Sequence, residues 1–179
     1  MHLIKISNVI LRENKYLKGV LYIEDYSNKK RVSVIHLEMV REGSLLYNSD
    51  NTEKTITDAK GAAKFAASLF TSCDREKFYV VCMDAKLEPI TIELAFMGGL
   101  SQCNVCIPEV FKSAILSNAH SIMCFHNHPS GDVKPSKEDR KVTQRIKEAG
   151  ELLGIKLMDH IIIGDNGDYY SFRENEYEV

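Results

Sequence analysis

From residue 57 onward, apolar positions recur with two different spacings, and these predict helices and strands in turn. Apolar residues three and four positions apart predict three helices, at 59–70, 109–118 and 136–153. Apolar or alternating runs bounded by turn residues predict five strands, at 76–84, 90–97, 121–125, 156–163 and 168–172. Because tight turns join the first two strands and the last two, antiparallel pairs are required. The order therefore predicts an α/β fold in which helices flank a mixed sheet.

Residues 1–40 show strand-like runs without helical spacing. The runs cover three segments, 3–11, 16–26 and 31–39. We therefore predict an N-terminal β-hairpin or meander extension over 1–40. The polar, turn-rich stretch 41–56 that follows is predicted to be a linker or exposed loop, and it opens a main domain over 41–179.

Composition and charge narrow the class of protein. The 179 residues are 44% hydrophobic and 27% charged, which suits one globular domain plus a small extension. No signal pattern or transmembrane-length apolar run is visible, and the five cysteines then predict free thiols in a reducing cytoplasm. The net charge of −2 argues against a dedicated nucleic-acid-binding face. The basic residues between Lys134 and Lys147 are interleaved with acidic ones, so they predict a solvated helix face rather than a basic patch.

A candidate metal site stands where the third predicted strand ends. His126 and His128 are two residues apart, so in an extended strand both imidazoles point to the same side while Asn127 points away. A turn rich in glycine and proline then returns the chain to Asp139. Two imidazoles and one carboxylate suit catalytic Zn²⁺, although ligand softness also admits Fe²⁺ or Mn²⁺. A second interpretation, compatible with the first, is that Ser136 and Asp139 form a capping box that starts a helix.

The spacing of these residues resembles the JAMM motif of the MPN/JAB metalloprotease superfamily. The match consists of four residues at fixed intervals, His126, His128, Ser136 and Asp139. The amino-acid sequence of 126–131 resembles that of the RadC branch of the superfamily, and the resemblance extends from about Val40 to Glu174. The resemblance implies a three-layer, cytidine-deaminase-like MPN/JAB fold and a zinc hydrolase of the peptidase or isopeptidase type.

The resemblance also implies roles for two further side chains. Glu76 matches the upstream glutamate that acts as general base on a water activated by the metal. From the residues alone, Glu88, Glu93 and Glu109 remain rivals for that role, and Glu93 is predicted to face solvent on its strand. Ser136 matches the serine whose hydroxyl assists at the oxyanion or the activated water, and it is equally well placed to cap the helix.

Two other features stay open. His160 is interpreted either as a fourth metal ligand or as a buried structural histidine, the latter including a hydrogen-bond partner near the site. Cys103 and Cys106 form a CxxC pair for which redox chemistry, a second metal and no function are all open.

Three functions of different classes are compatible with this site. The first is the zinc metallopeptidase or isopeptidase, with a peptide or isopeptide-linked protein as its substrate. The second is a metal-dependent nuclease or DNA-repair-associated protein, and the third is a non-catalytic MPN scaffold. The longer RadC-like proteins carry a helix-hairpin-helix segment, and residues 1–40 show no such pattern, so we expect DNA binding to be weak or absent. Base deamination lacks its His-x-Glu and Pro-Cys-x-x-Cys signature. The oligomeric state stays open.

Overall fold

The structure, a computed structural model, describes residues 5–6, 9–10, 39–40, 42–44, 55–71, 73–98 and 105–176. The chain divides into two compact units, Met1–Glu38 and Met39–Val179. In the first unit, strands β1 (Lys5–Ile6) and β2 (Val9–Ile10) pair antiparallel. The single strand expected over 3–11 is therefore wrong, because the chain reverses between these two strands. The run expected at 16–26, and that at 31–39 apart from Met39, lie outside the described residues.

The second unit is built on a five-stranded mixed sheet in the order β4-β3-β5-β6-β7. Its strands are β3 (Lys77–Met83), β4 (Pro89–Met97), β5 (Ser121–Asn127), β6 (Lys156–Ile163) and β7 (Tyr169–Ser171). β5 and β6 are parallel, whereas the other neighbouring pairs are antiparallel. All residues of the central strand β5 are buried, so this strand carries His126 into the interior.

Helices cover both faces of the sheet and give three layers. They are α1 (Ala59–Ala66), α2 (Ile107–Leu116), α3 (Lys137–Leu153) and the short α4 (Phe172–Asn175). α1 shares one buried apolar cluster with alternate sheet residues such as Val81 and Phe125. α2 and α3 share a second cluster with the intervening residues, such as Val80 and Cys124. The predicted mixed sheet flanked by helices is confirmed.

A bulge interrupts the alternation of β6. Along β5 the partners Ile122 and Met123 are adjacent, but on β6 they pair with Leu157 and Asp159, so Met158 is an extra residue. Such a bulge changes which face the following side chains occupy. From Asp159 onward the alternation resumes, and His160 pairs with Cys124, whose side chain belongs to the face covered by α2 and α3.

Several expected boundaries differ from the structure. The helix expected over 59–70 is α-helical only to Ala66 and continues as a 3₁₀ helix to Phe70. The last strand ends early, because the Ser171 side chain accepts a hydrogen bond from the Glu174 backbone and starts α4. Leu153, the last residue of α3, is 47% exposed because it lies in the final turn of the helix. Within the described parts of the chain, no helix combines the length and hydrophobicity needed to span a bilayer.

Candidate metal centre

The two histidines of the predicted site lie at the carboxyl end of β5. His126 is fully buried in the strand, whereas His128 follows the strand and its side chain is 18% exposed. The loop after His128 turns at Gly131, whose φ of +74° favours glycine. A Cβ at Gly131 would collide with the Asp165 carboxylate, so this loop packs closely against the turn between β6 and β7. Helix α3 follows this loop, and its first turn faces the two imidazoles.

Nitrogen and oxygen atoms of three side chains converge on one point. The Nε2 atoms of His126 and His128 are 3.1 Å apart. Asp139 Oδ1 lies 3.3 Å from His126 Nε2, and Asp139 Oδ2 lies 3.5 Å from His128 Nε2. Tetrahedral ligands about 2.0–2.1 Å from a zinc ion are about 3.3 Å from one another. The three side chains therefore fit the ligand set of a zinc ion, which leaves a fourth position open.

Asp139 is held by the helix that it helps to start. Ser136 is the N-cap of α3, and its side chain accepts a hydrogen bond of 3.1 Å from the Asp139 backbone. In return, Asp139 Oδ2 accepts one of 2.7 Å from the Ser136 backbone. The predicted capping box is confirmed, and it coexists with the placement of Asp139 among the candidate ligands. A carboxylate fixed by a capping box has little rotational freedom left to lose when it binds an ion.

A fourth side chain joins the group from the neighbouring strand. Ligand atoms of Glu76, His126, His128 and Asp139 all lie within 4.8 Å of one another. Glu76 is half-buried and directly precedes β3, whose first residues pair with the end of β5. A carboxylate at this distance from three metal-binding groups is placed to act on a molecule bound between them.

Asn127 holds the backbone on both sides of Glu76. Its Oδ1 accepts a hydrogen bond of 2.9 Å from the Lys77 backbone N–H. Its Nδ2 donates one of 3.3 Å to the Arg75 carbonyl. The Asn127 side chain does point away from the candidate ligands, as expected for the middle residue of His-x-His, but its backbone partners at Arg75 and Lys77 were not predicted by the spacing.

The electrostatics of the site favour a positive charge among these side chains. Burial works to raise the pKa of Asp139, but the imidazoles of His126 and His128 beside its carboxylate outweigh burial and hold the pKa well below its usual range. The neighbouring Asp139 carboxylate raises the pKa of His128 above its ordinary value, against the effect of burial. An ionised carboxylate and two electron-rich nitrogens thus face one point, which is the charge pattern that binds a divalent cation.

His160 lies behind the site rather than in it. Its Nε2 is 2.8 Å from His126 Nδ1, and its Nδ1 is 2.6 Å from Thr143 Oγ1. Because both ring nitrogens are engaged with other side chains, the structure does not place His160 as a fourth ligand. Thr143 was missed by the sequence reasoning. The available signal was its position four residues after Asp139, which puts both on the same face of a helix.

The other candidates lie outside the group. Glu88, Glu93 and Glu109 are not among the clustered ligand atoms. The prediction that Glu93 faces solvent is wrong, because the residue is only partly exposed and one of its carboxylate oxygens is buried, with no hydrogen-bond partner among the described residues. Cys106 is exposed at the N-cap of α2, while Cys103 lies outside the described residues, so a role for this pair stays a prediction.

The fold and the site together define an α/β protein of the JAB/MPN fold with a group of side chains able to hold a metal ion. Residues 56–177 match the family model described as RadC-like JAB domain. The chain belongs to this family, and its fold is that of metal-dependent hydrolases.

Curated relatives support the same membership. A UPF0758 protein of Pelodictyon phaeoclathratiforme is 37% identical over 171 residues, which cover 96% of this chain and 73% of the relative. A UPF0758 protein of Thermotoga maritima is 35% identical, with 96% of this chain and 73% of the relative covered. A UPF0758 protein of Staphylococcus carnosus is 43% identical over 136 residues, or 75% of this chain and 60% of the relative.

Proposed function

We propose that this protein is a zinc-dependent hydrolase that cleaves peptide or isopeptide bonds. The observation that carries the proposal is the convergence of Glu76 with His126, His128 and Asp139, all with ligand atoms within 4.8 Å. The two histidines and the aspartate would hold the ion, and Glu76 is then the carboxylate left to act as a base. A non-catalytic scaffold needs neither a complete ligand set nor a glutamate beside it.

The chemistry divides between the ion and the side chains. A bound zinc ion would supply Lewis acidity, which lowers the pKa of a water molecule and polarises a carbonyl group. Glu76 would accept the proton of the attacking water and pass it to the leaving amine. Ser136 is exposed, and its oxygen accepts the Asp139 N–H in the cap, so its own hydroxyl hydrogen is available for the developing oxyanion.

A peptide substrate is favoured over a phosphodiester by two observations. Many nucleases use a pair of metal ions about 3.5–4 Å apart, whereas the described residues form a single ligand group. The net charge of −2 also offers little neutralisation for a phosphate backbone. We therefore expect only weak, salt-sensitive DNA binding, in the range of about 10⁻⁴–10⁻⁶ M at physiological salt.

The proposal is tested with zinc-loaded protein and three substrate panels: peptides, isopeptide-linked proteins and nucleic acids. We expect one zinc per chain and hydrolysis in a peptide or isopeptide panel. Glu76→Gln should keep the zinc but lose activity by about 10²–10⁴-fold, because the amide cannot accept a proton. Glu88→Gln, in the turn between β3 and β4, is the matched control and should remain active.

Three results would contradict the proposal in different ways. Full zinc stoichiometry in a His126→Ala/His128→Ala variant would show that the ligands are wrongly assigned. A fully active Glu76→Gln variant would show that Glu76 is not the general base. Cleavage confined to the nucleic-acid panel, with nanomolar DNA binding at about 150 mM salt, would establish the nuclease instead.

A further inference from the structure

A chain of hydrogen bonds runs behind the candidate metal centre, from α3 through β6 to β5. Thr143 Oγ1 is 2.7 Å from the Asp139 carbonyl oxygen and 2.6 Å from His160 Nδ1. His160 Nε2 is 2.8 Å from His126 Nδ1. All four residues are at most 2% exposed, so water does not compete for these bonds. The chain begins and ends on candidate metal ligands, because Asp139 and His126 both belong to the site.

The polarity of this chain follows from counting hydrogens. The Asp139 carbonyl can only accept, so the single hydroxyl hydrogen of Thr143 is donated to it. Thr143 Oγ1 must then accept from His160 Nδ1–H. The His160 ring is buried, and its two nitrogens contact a hydroxyl and an imidazole rather than a carboxylate. A buried imidazolium without an acidic partner is costly, so the ring is neutral and its Nε2 is an acceptor. His126 Nδ1 consequently carries the proton donated to His160.

This polarity decides which nitrogen of His126 can bind an ion. With its proton on Nδ1, His126 presents a lone pair on Nε2, the atom that faces His128 and Asp139. If His160 carried its proton on Nε2 instead, His126 Nδ1 would become the acceptor and the His126 proton would move to Nε2. The metal-facing atom would then be blocked.

We propose that Thr143 and His160 are positioning residues that hold His126 in the tautomer able to bind the metal ion of the proposed function. The inference rests on that metal site, but it concerns how this chain sets the proton position before any ion is bound. No proton is transferred along the chain; the hydrogen bonds only fix where each proton resides.

The orientation of the His160 ring is fixed by packing as well as by hydrogen bonds. The ring stacks on Phe172 with centroids 5.0 Å apart and planes 10° apart. Phe78 packs on another side, with its centroid 5.3 Å away. A ring held in this way cannot rotate to exchange its two nitrogens without displacing buried aromatic groups, so the direction of the hydrogen-bond chain is maintained.

His128 reaches the same tautomer by an independent route. Its Nδ1 is 2.6 Å from the Asp132 carbonyl oxygen in the loop that follows β5. A carbonyl can only accept, so it fixes the His128 proton on Nδ1 without any second residue. His126 lies inside the sheet, where its Nδ1 contacts the side chain of His160, which in turn contacts Thr143, instead of a loop carbonyl. Thr143 variants should therefore affect His126 and leave the His128 tautomer unchanged.

The first test measures zinc affinity by competition with a chromophoric chelator. Thr143→Val keeps the shape but removes the acceptor for His160 Nδ1–H, and we expect zinc to bind about 10–100-fold more weakly. Thr143→Ser restores the hydroxyl and should bind like the wild type. His160→Phe keeps the stack but offers His126 no acceptor, so it should bind weakly, and His160→Gln should recover part of the affinity through its amide oxygen.

The second test reads the tautomers directly in metal-free protein. Long-range ¹H–¹⁵N NMR of ¹⁵N-histidine-labelled protein, recorded over a pH series and read where each ring has lost its second proton, assigns the protonated nitrogen of each ring. We expect His126, His128 and His160 all to carry the proton on Nδ1. In Thr143→Val, a share of His126 should move to the Nε2–H form while His128 stays unchanged.

The outcomes separate this inference from the proposed function. Wild-type protein that binds no zinc overturns the function, yet its NMR spectrum still tests the tautomers. Wild-type protein that binds zinc while His126 is protonated on Nε2 in the metal-free state overturns the inference alone. So does a folded Thr143→Val variant with wild-type affinity. If the variants do not fold, the wild-type spectrum still decides the question.

Discussion

At the scale of single residues, Asn127 connects the two halves of the candidate site. It follows His126 on β5, yet its amide holds the backbone at Arg75 and Lys77, on either side of Glu76. Its amide orientation is fixed by its partners, because a backbone N–H must meet the oxygen and a carbonyl must meet the nitrogen. The same strand end thus supplies a candidate metal ligand and the support for the proposed base.

This arrangement predicts that Asn127 affects catalysis without affecting metal binding. Asn127→Leu removes both hydrogen bonds, and we expect kcat to fall by about tenfold to a hundredfold, since small displacements of a reacting group have effects of this size. Asn127→Asp keeps the acceptor for Lys77 and should lose less. Steady-state kinetics and zinc analysis of both variants check the prediction, and loss of zinc in parallel with kcat would contradict it.

The residues of the candidate site were predictable where they are close in sequence or, for Glu76, where the family resemblance supplied them. The interval from His126 through His128 to Asp139 is a local pattern, and the amino-acid sequence alone displays it. The partner of Asn127 lies fifty residues away on another strand, and the partner of His126 lies on β6. Those contacts depend on strand register and side-chain direction, which composition and periodicity do not encode.

At the scale of elements, the first turn of α3 combines a capping box with a candidate metal ligand. Ser136 and Asp139 exchange two hydrogen bonds that satisfy backbone donors at the helix start. Asp139 also faces the two histidines. The sequence pattern predicted both roles for this turn, and the helix that follows ends at Gly154 as expected, with a left-handed φ of 71°.

Removal of the cap should therefore be detected in stability and in activity. We expect Ser136→Ala to lower the free energy of unfolding by about 1 kcal/mol, the usual value for loss of an N-cap side chain. It should also lower kcat, because the hydroxyl proposed to assist the oxyanion is lost. Ser136→Thr retains a hydroxyl and is the control. Urea denaturation and steady-state kinetics measure the two effects, and unchanged stability would contradict the capping role.

Element boundaries were less predictable than element order. The order of helices and strands in the second unit matches the expectation, because each element has a strong apolar period. Errors arose where a local side-chain bond or an end effect decides the outcome, as where Ser171 ends β7 or where α1 gives way to a 3₁₀ turn.

At the scale of the whole molecule, the candidate ligands join elements that are distant in the chain. Glu76 directly precedes β3, His126 lies on β5, His128 follows β5, and Asp139 lies in the first turn of α3. The unfolded chain does not assemble these groups, so an ion bound by them stabilises the folded state by mass action.

We therefore expect zinc to raise the thermal stability of the protein. Free zinc at a hundredfold excess over its dissociation constant should add about 2.7 kcal/mol, which corresponds to a rise in Tm of about 5–10 °C. Thermal denaturation followed by circular dichroism, with and without zinc, gives the shift. A His126→Ala/His128→Ala variant should show no rise, and an equal rise in that variant would point to zinc bound elsewhere.

The bulge at Met158 bears on how this protein tolerates changes in length. A single-residue deletion in a strand ordinarily turns every later side chain to the opposite face. On β6 the deletion of Met158 would instead restore an unbroken odd–even alternation from Leu157 through Asp159 to His160. His160 would keep its face and its reach to His126. A folded Met158-deletion variant should thus retain zinc affinity, whereas insertion of a residue between Asp159 and His160 should lower it by about 10–100-fold, and chelator competition distinguishes the two.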